Sequence, residues 1–160
     1  MSAVKHREAP GPVTELQQVV NLLGGNRVLR QAPANTIDAH QLLLAGLPET
    51  ALRHLVDKLL VLAKTESLEK AVGMSLRTFQ RLKDTPAKHL SVEQSGRAWK
   101  FAEILAKATA VFGSQREAEL WLERPAVGLN QERPIDLLQT PAGVELVEAF
   151  LRRLEYGVYA

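Results

Sequence analysis

SLEKAVGMSLRTFQRL, which runs from Ser67 to Leu82, has the pattern of two short helices joined by a tight turn. Ala71 is the small residue that allows two helices to cross closely, and Gly73 supplies the positive φ that the turn needs. Apolar residues that can face inward occur in both halves: Leu68, Val72, Leu76, Phe79 and Leu82. The stretch therefore predicts a helix-turn-helix motif.

The second helix of this motif has a polar outer face. Its members are Ser75, Arg77, Thr78, Gln80, Arg81 and Lys83. In the major groove of DNA, Arg can bond guanine, Gln can bond adenine, and Ser or Thr can reach phosphates. We therefore predict that these six residues bind DNA, with Lys88, Arg97 and Lys100 holding the phosphate backbone. The alternative is an ordinary pair of amphipathic helices with a solvated basic face.

Helical signals continue on both sides of the motif, and no strand-like alternation of useful length occurs. They predict helices from 13 to 23, 36 to 45 with Thr36 as N-cap, 48 to 63, 91 to 112, 114 to 122 and 140 to 156, and a helical turn at 134–138. We expect an all-α protein. It should comprise a disordered arm at 1–12, a helix-turn-helix domain at 13–90 and a small helical domain at 91–160.

Composition narrows the classes of function. The 160-residue chain has no cysteine, which excludes disulfides and thiolate chemistry, and its four histidines are scattered. We find neither a glycine-rich phosphate loop nor a catalytic constellation, so we expect no enzyme activity, no catalytic residues, no metal site and no cofactor. Residues 64–107 carry 9 Lys and Arg against 5 Asp and Glu, whereas residues 108–160 carry 5 against 8. A basic middle and an acidic end suggest two surfaces with different partners, the alternative being an uneven solvated surface.

Neither a secretory leader nor a membrane-spanning run of apolar residues is evident in the sequence. We therefore expect a cytoplasmic protein that does not associate with a membrane. A homodimer is also expected, because one recognition helix covers only a few base pairs. We expect the dimer surface on the long helix 91–112 and the segment before it, since they hold more apolar residues than one small domain obviously needs.

The second half carries a series of motifs in fixed order. They are the segments 110–114, 118–122, 134–138 and 156–160, together with Pro125, Leu129, Thr140 and Gly143. This series resembles the C-terminal toxin-binding domain of Xre/MbcA/ParS-type antitoxins, the partners of RES-domain toxins. The resemblance covers about residues 92–160, and the helical segment before it resembles the Xre-type N-terminal domain. The loop after Pro125 lacks the double glycine that many relatives have.

The resemblance implies an antitoxin of a type II toxin–antitoxin system. Such a protein binds a RES-domain toxin with an ADP-ribosyltransferase-like fold, blocks its active site and represses the shared operon through operator DNA. NAD belongs to the toxin's chemistry, so no cofactor is implied for this chain. A simple dimeric helix-turn-helix repressor without a toxin, and a protein-binding antitoxin without DNA affinity, are the competing interpretations.

The expected toxin-binding residues lie on one short helix and at the end of the chain. They are Trp121, Arg152, Arg153, Glu155, Tyr156, Gly157, Val158, Tyr159 and Ala160. Gly157 should release the chain from the helix axis, so that the last residues can enter a cleft of the partner. Two alternatives stay open at this point. Trp121 can be a core residue, and Tyr156 and Tyr159 can fold back onto their own domain.

Overall fold

The computed structural model describes residues 13–64, 66–84 and 88–157, which form ten α-helices and two short 3-10 turns. The helices are α1 (Glu15–Leu22), α2 (Gly25–Leu29), α3 (Thr36–Ala45), α4 (Glu49–Lys58), α5 (Ser67–Val72), α6 (Leu76–Lys83), α7 (Val92–Phe112), α8 (Gln115–Leu122), α9 (Pro134–Leu137) and α10 (Pro141–Glu155). The 3-10 turns are Leu62–Lys64 and Val127–Leu129. Among the described residues, β-pairing is limited to one bridge between Pro48 and His89. The all-α prediction is confirmed.

Helix α7 is the centre of the fold. It packs against α1, α3, α5, α8 and α10, and its Phe101, Ile104 and Leu105 are fully buried. One apolar core runs from Val19 in α1 to Leu151 in α10. The predicted arm at 1–12 lies outside the described residues, and the division into domains at residue 90 stays a prediction.

The burial of α7 corrects the expected origin of a dimer surface. Its apolar face is occupied by other helices of the same chain, and nine of its residues are buried. The apolar residues of this helix are therefore accounted for without a second copy. The homodimer itself stays a prediction, but it needs another surface.

Polar caps set the boundaries of most of the longer helices. The hydroxyl of Ser91 accepts the N–H of Gln94, whose side chain accepts the N–H of Ser91 in return, which forms a capping box. Thr140 caps α10, with Pro141 as its first residue. At Ser114 the structure shows one half of such a box, the bond from the N–H of Glu117 to the Ser114 hydroxyl.

Two predicted boundaries are wrong, and a short helix was missed. The N-cap of α3 is Asn35 and not Thr36, because the Asn35 side chain accepts the N–H of Asp38 while the Asp38 carboxylate accepts the N–H of Ala34. Helix α4 ends at Lys58, five residues before the predicted end at Ala63. The sequence predicts no helix between residues 23 and 36, yet Gly25 begins α2.

The early end of α4 has a cause 61 residues further along the chain. The carboxylate of Glu119, on α8, is fully buried and accepts the N–H groups of Leu60, Val61 and Leu62 at 2.9–3.0 Å. These donors therefore bond to a side chain of α8 instead of to carbonyls of α4, and the chain turns. As a result Leu60, which lies beyond the end of α4, is 54% exposed.

Candidate functional site

The helix-turn-helix prediction is confirmed by the geometry of α5, the turn and α6. Leu68, Ala71 and Val72 of α5 are buried. Gly73 ends α5 with φ 68°, in the left-handed region where a side chain would be strained. The Ser75 hydroxyl then caps α6 by accepting the N–H of Thr78.

Helix α6 presents most of the predicted DNA-binding residues to solvent. Arg77, Gln80 and Arg81 are exposed, and their spacing of i, i+3 and i+4 places them on one face. Ser75 and Thr78 are also exposed, but the Ser75 hydroxyl donates to the Thr78 hydroxyl at 2.9 Å while it caps the helix.

The remaining predicted DNA-binding residue lies at the last position of α6. It is Lys83, whose side chain is outside the described part of the structure. The described part of α6 therefore places two guanidinium groups and one carboxamide on one exposed face.

Two of the three residues that were expected to contact phosphates bond to other residues of the chain instead. Arg97 donates to the backbone carbonyl of Lys70. Lys100 donates to Glu148 at 2.9 Å and lies 3.5 Å from Glu103. Burial opposes the charged form of Lys100, but its two carboxylate partners outweigh burial and raise its pKa. Lys88 is exposed.

A second candidate surface lies on the C-terminal half of α10. Ala149, Arg152, Arg153 and Tyr156 line a shallow groove of about 300 Å³, and Tyr156 is 76% exposed. The predicted residue Glu155 is exposed as well.

Gly157 follows α10 with φ 66°, which is the helix-ending conformation that the sequence predicted. The other residues expected in the tail, Val158, Tyr159 and Ala160, lie outside the described residues. The choice between a partner-binding tail and one folded onto its own domain therefore stays open.

An aromatic stack connects α7, α8 and α10 beside this groove. Trp121 is half-buried, and its ring centroid lies 5.0 Å from that of Phe112 and 5.8 Å from that of Phe150, onto which it stacks. The Arg153 guanidinium carbon lies 5.9 Å from the centroid of the Phe150 ring. Phe150 thus brings together two predicted partner-binding residues, Trp121 and Arg153.

The turn at 127–129 adds an exposed apolar residue to the same region. A Cβ at Gly128 would collide with the Phe150 ring, so the turn lies directly against that ring. Val127 on this turn is 83% exposed. Sequence reasoning missed both Val127 and Phe150, because loop position and helix periodicity gave no sign that they meet.

Two of the four histidines, His54 and His89, lie within hydrogen-bond distance of backbone carbonyls. Nδ1 of His54 lies 3.2 Å from the Leu22 carbonyl oxygen, and Nδ1 of His89 lies 2.9 Å from that of Gly46. Within the described ranges, no three His, Asp or Glu side chains converge to hold a metal ion. No described helix combines the length and apolar character that a membrane span requires.

Taken together, these features define a helical protein that contains a helix-turn-helix, a motif typical of DNA-binding proteins. A second helical segment exposes an apolar and basic surface. Residues 38–103 match the antitoxin Xre-like helix-turn-helix domain. Residues 107–157 match the antitoxin Xre/MbcA/ParS C-terminal toxin-binding domain. The two matches therefore assign an Xre-like helix-turn-helix domain and an Xre/MbcA/ParS-type toxin-binding domain, in that order, to one sequence.

A curated relative supports this assignment over part of the chain. The chain is 35% identical over 68 residues to a Pseudomonas putida protein named antitoxin Xre. The match covers 42% of this chain and 43% of the relative, so less than half of each protein is compared.

Proposed function

We propose that this protein is the antitoxin of a type II toxin–antitoxin pair, and that it binds and blocks a RES-domain toxin and represses its own operon. The observation that carries the proposal is the order of two domain matches, a helix-turn-helix domain followed by a toxin-binding domain. In this proposal the protein acts in the cytoplasm, without enzyme activity or cofactor of its own.

Repression would depend on α6 in the major groove. Arg77 and Arg81 share its exposed face with Gln80, which is the arrangement that base-edge recognition needs. A titration of DNA from upstream of the protein's own gene tests this directly. Arg81→Ala should cost about 1–3 kcal/mol on the specific site if Arg81 bonds a base. Lys83→Ala should weaken all sequences alike if Lys83 meets a phosphate.

The matched control is Arg116→Ala, because Arg116 is an exposed arginine on α8, outside both candidate surfaces. It should leave the affinity for DNA unchanged. Wild-type affinity in an Arg77→Ala/Arg81→Ala double variant would remove α6 from the DNA interface.

Toxin binding would use the groove on α10 together with the segment that follows it. Exposed aromatic rings and arginines are the residue types that contribute most to protein interfaces, and Tyr156 and Arg153 lie side by side there. Co-expression with a RES-domain protein provides the assay, with cell growth and co-purification as readouts. Removal of residues 156–160 should release toxicity while DNA binding and thermal unfolding stay nearly unchanged, and Arg116→Ala should still protect.

Two results would redirect the proposal. Full protection by the truncated protein would move inhibition to the helix faces. Failure of the wild-type protein to retain any RES-domain partner would favour the simple dimeric repressor.

Light scattering tests the homodimer: a mass of about 17.7 kDa that is independent of concentration would contradict it.

A further inference from the structure

The first helix of the helix-turn-helix is held by residues of the toxin-binding segment. Lys70 on α5 forms an ion pair of 2.8 Å with Asp136 on α9. Asp136 also accepts two bonds of 2.9 Å from Arg133, in a bidentate pair. The same Arg133 reaches the hydroxyl of Ser67, the first residue of α5, at 3.5 Å. These contacts join the two family matches and have no part in the function proposed above.

The other end of α5 is held by α7. Arg97 donates to the carbonyl of Lys70 in the last turn of α5, where a cation also interacts favourably with the helix dipole. The Arg97 guanidinium lies directly against Gly73, because a Cβ at that glycine would collide with the guanidinium. The turn that orients α6 therefore rests on a side chain of α7.

A helix as short as α5 depends on such contacts. It has six residues, and isolated helices of fewer than about 12 residues are marginal in water. Its packing partners are α7, α9 and the 62–64 turn. Since α6 follows α5 after a short turn, a change in the position of α5 also moves Arg77 and Arg81.

We infer that Arg133 and Asp136 are positioning residues for DNA binding, which act by fixing α5 and thereby the orientation of α6. The inference rests on the proposed DNA-binding function. It gives the toxin-binding segment a second role, which is to support α6, the helix proposed to bind DNA. Within the helical turn predicted at 134–138, the polar residue Asp136 thus acquires a role of its own.

The test measures DNA affinity and hydrogen exchange on the full chain. Asp136→Asn should weaken binding to DNA from upstream of the gene about tenfold and should speed amide exchange in α5 and α6, but not in α10. The control is Glu15→Gln, which removes an ion pair of 3.7 Å between α1 and α7 without touching α5 or any predicted DNA contact. It should change DNA affinity by less than about twofold.

Substitutions of Lys70 distinguish a positioning role from direct contact with DNA. Lys70→Met should weaken binding in the wild-type background but add little in the Asp136→Asn background, because the two residues act through one contact. Lys70→Arg, which keeps the ion pair, should retain binding. Additive losses would indicate that Lys70 touches DNA by itself and would overturn the inference.

The outcomes also distinguish failure of the inference from failure of the proposed function. If wild-type protein binds its upstream DNA and Asp136→Asn binds equally well, the positioning role is refuted while DNA binding stands. If wild-type protein binds no DNA at any salt concentration, the proposed repression is refuted and the positioning role falls with it.

Discussion

Replacing the buried carboxylate of Glu119 should destabilise the fold far more than replacing an exposed carboxylate on the same helix. Glu119 accepts bonds from three consecutive backbone N–H groups and one from the Gln115 side chain at 2.9 Å. A hydrogen bond to a charged group contributes about 1.5–3 kcal/mol, and a buried donor left without a partner costs about 1–3 kcal/mol.

The two obvious substitutions at this position should differ in magnitude. In Glu119→Ala, water can reach the N–H of the exposed Leu60, so only the donors of Val61 and Leu62 count in full. We expect a loss of about 3–5 kcal/mol. In Glu119→Gln one acceptor oxygen remains but the charge is lost, and we expect a loss of about 2 kcal/mol. For a chain of this size that corresponds to roughly 4–8 °C in Tm.

Urea unfolding followed by circular dichroism measures these differences. Glu117→Gln is the matched control, because Glu117 lies two residues earlier on α8 and is exposed. Its effect should stay within about 0.5 kcal/mol. If Glu119→Gln unfolds within about 0.5 kcal/mol of Glu117→Gln, the carboxylate does not anchor the turn after α4 and the reasoning fails.

Three further perturbations test the packing and the electrostatics. Gly143→Ala should lose about 3 kcal/mol in urea unfolding, because a Cβ there would collide with the Leu137 carbonyl; an unchanged midpoint would contradict this. Gly96→Ala, inside α7 with open space around it, should gain about 0.5–1 kcal/mol, and a loss would show that the site is not open. The bonds from Arg133 lower the pKa of Asp136 despite its partial burial. The ion pair therefore stabilises the fold fully at pH values above the ordinary carboxyl pKa. This stabilisation is lost as the pH falls through the lowered pKa of Asp136. Asp136→Asn should thus lower Tm at neutral pH, and this deficit should shrink as the pH falls below the ordinary carboxyl pKa; a deficit that is constant with pH would refute the ion-pair explanation.

Local signals allowed much of the fold to be predicted from the sequence. Ser91 and Thr140 have side chains that bond within three residues, so their caps are visible in the chain itself. Gly73 is recognisable for a similar reason, because the positive φ of its turn depends on one residue type. Such features need no knowledge of what lies elsewhere in space.

Features that depend on distant partners were not predictable. The end of α4 is set by Glu119, 61 residues after Lys58, and no local pattern marks it. Arg97 looks like a phosphate ligand because it stands in a basic stretch, yet its partner is a carbonyl 27 residues earlier. The sequence predicted the charged residues of the α10 surface but not Phe150. An aromatic residue at helical spacing indicates only a core position.

The two tryptophans of the chain occupy different environments, and this gives the protein a built-in pair of optical reporters. Trp99 is 7% exposed in the core, so its emission should follow unfolding of the whole chain. Trp121 is half-buried beside Phe150 and Arg153, where a molecule seated on α10 would change its surroundings. A Trp99→Phe variant would therefore allow association at α10 to be followed by intrinsic fluorescence, without a label attached to either component.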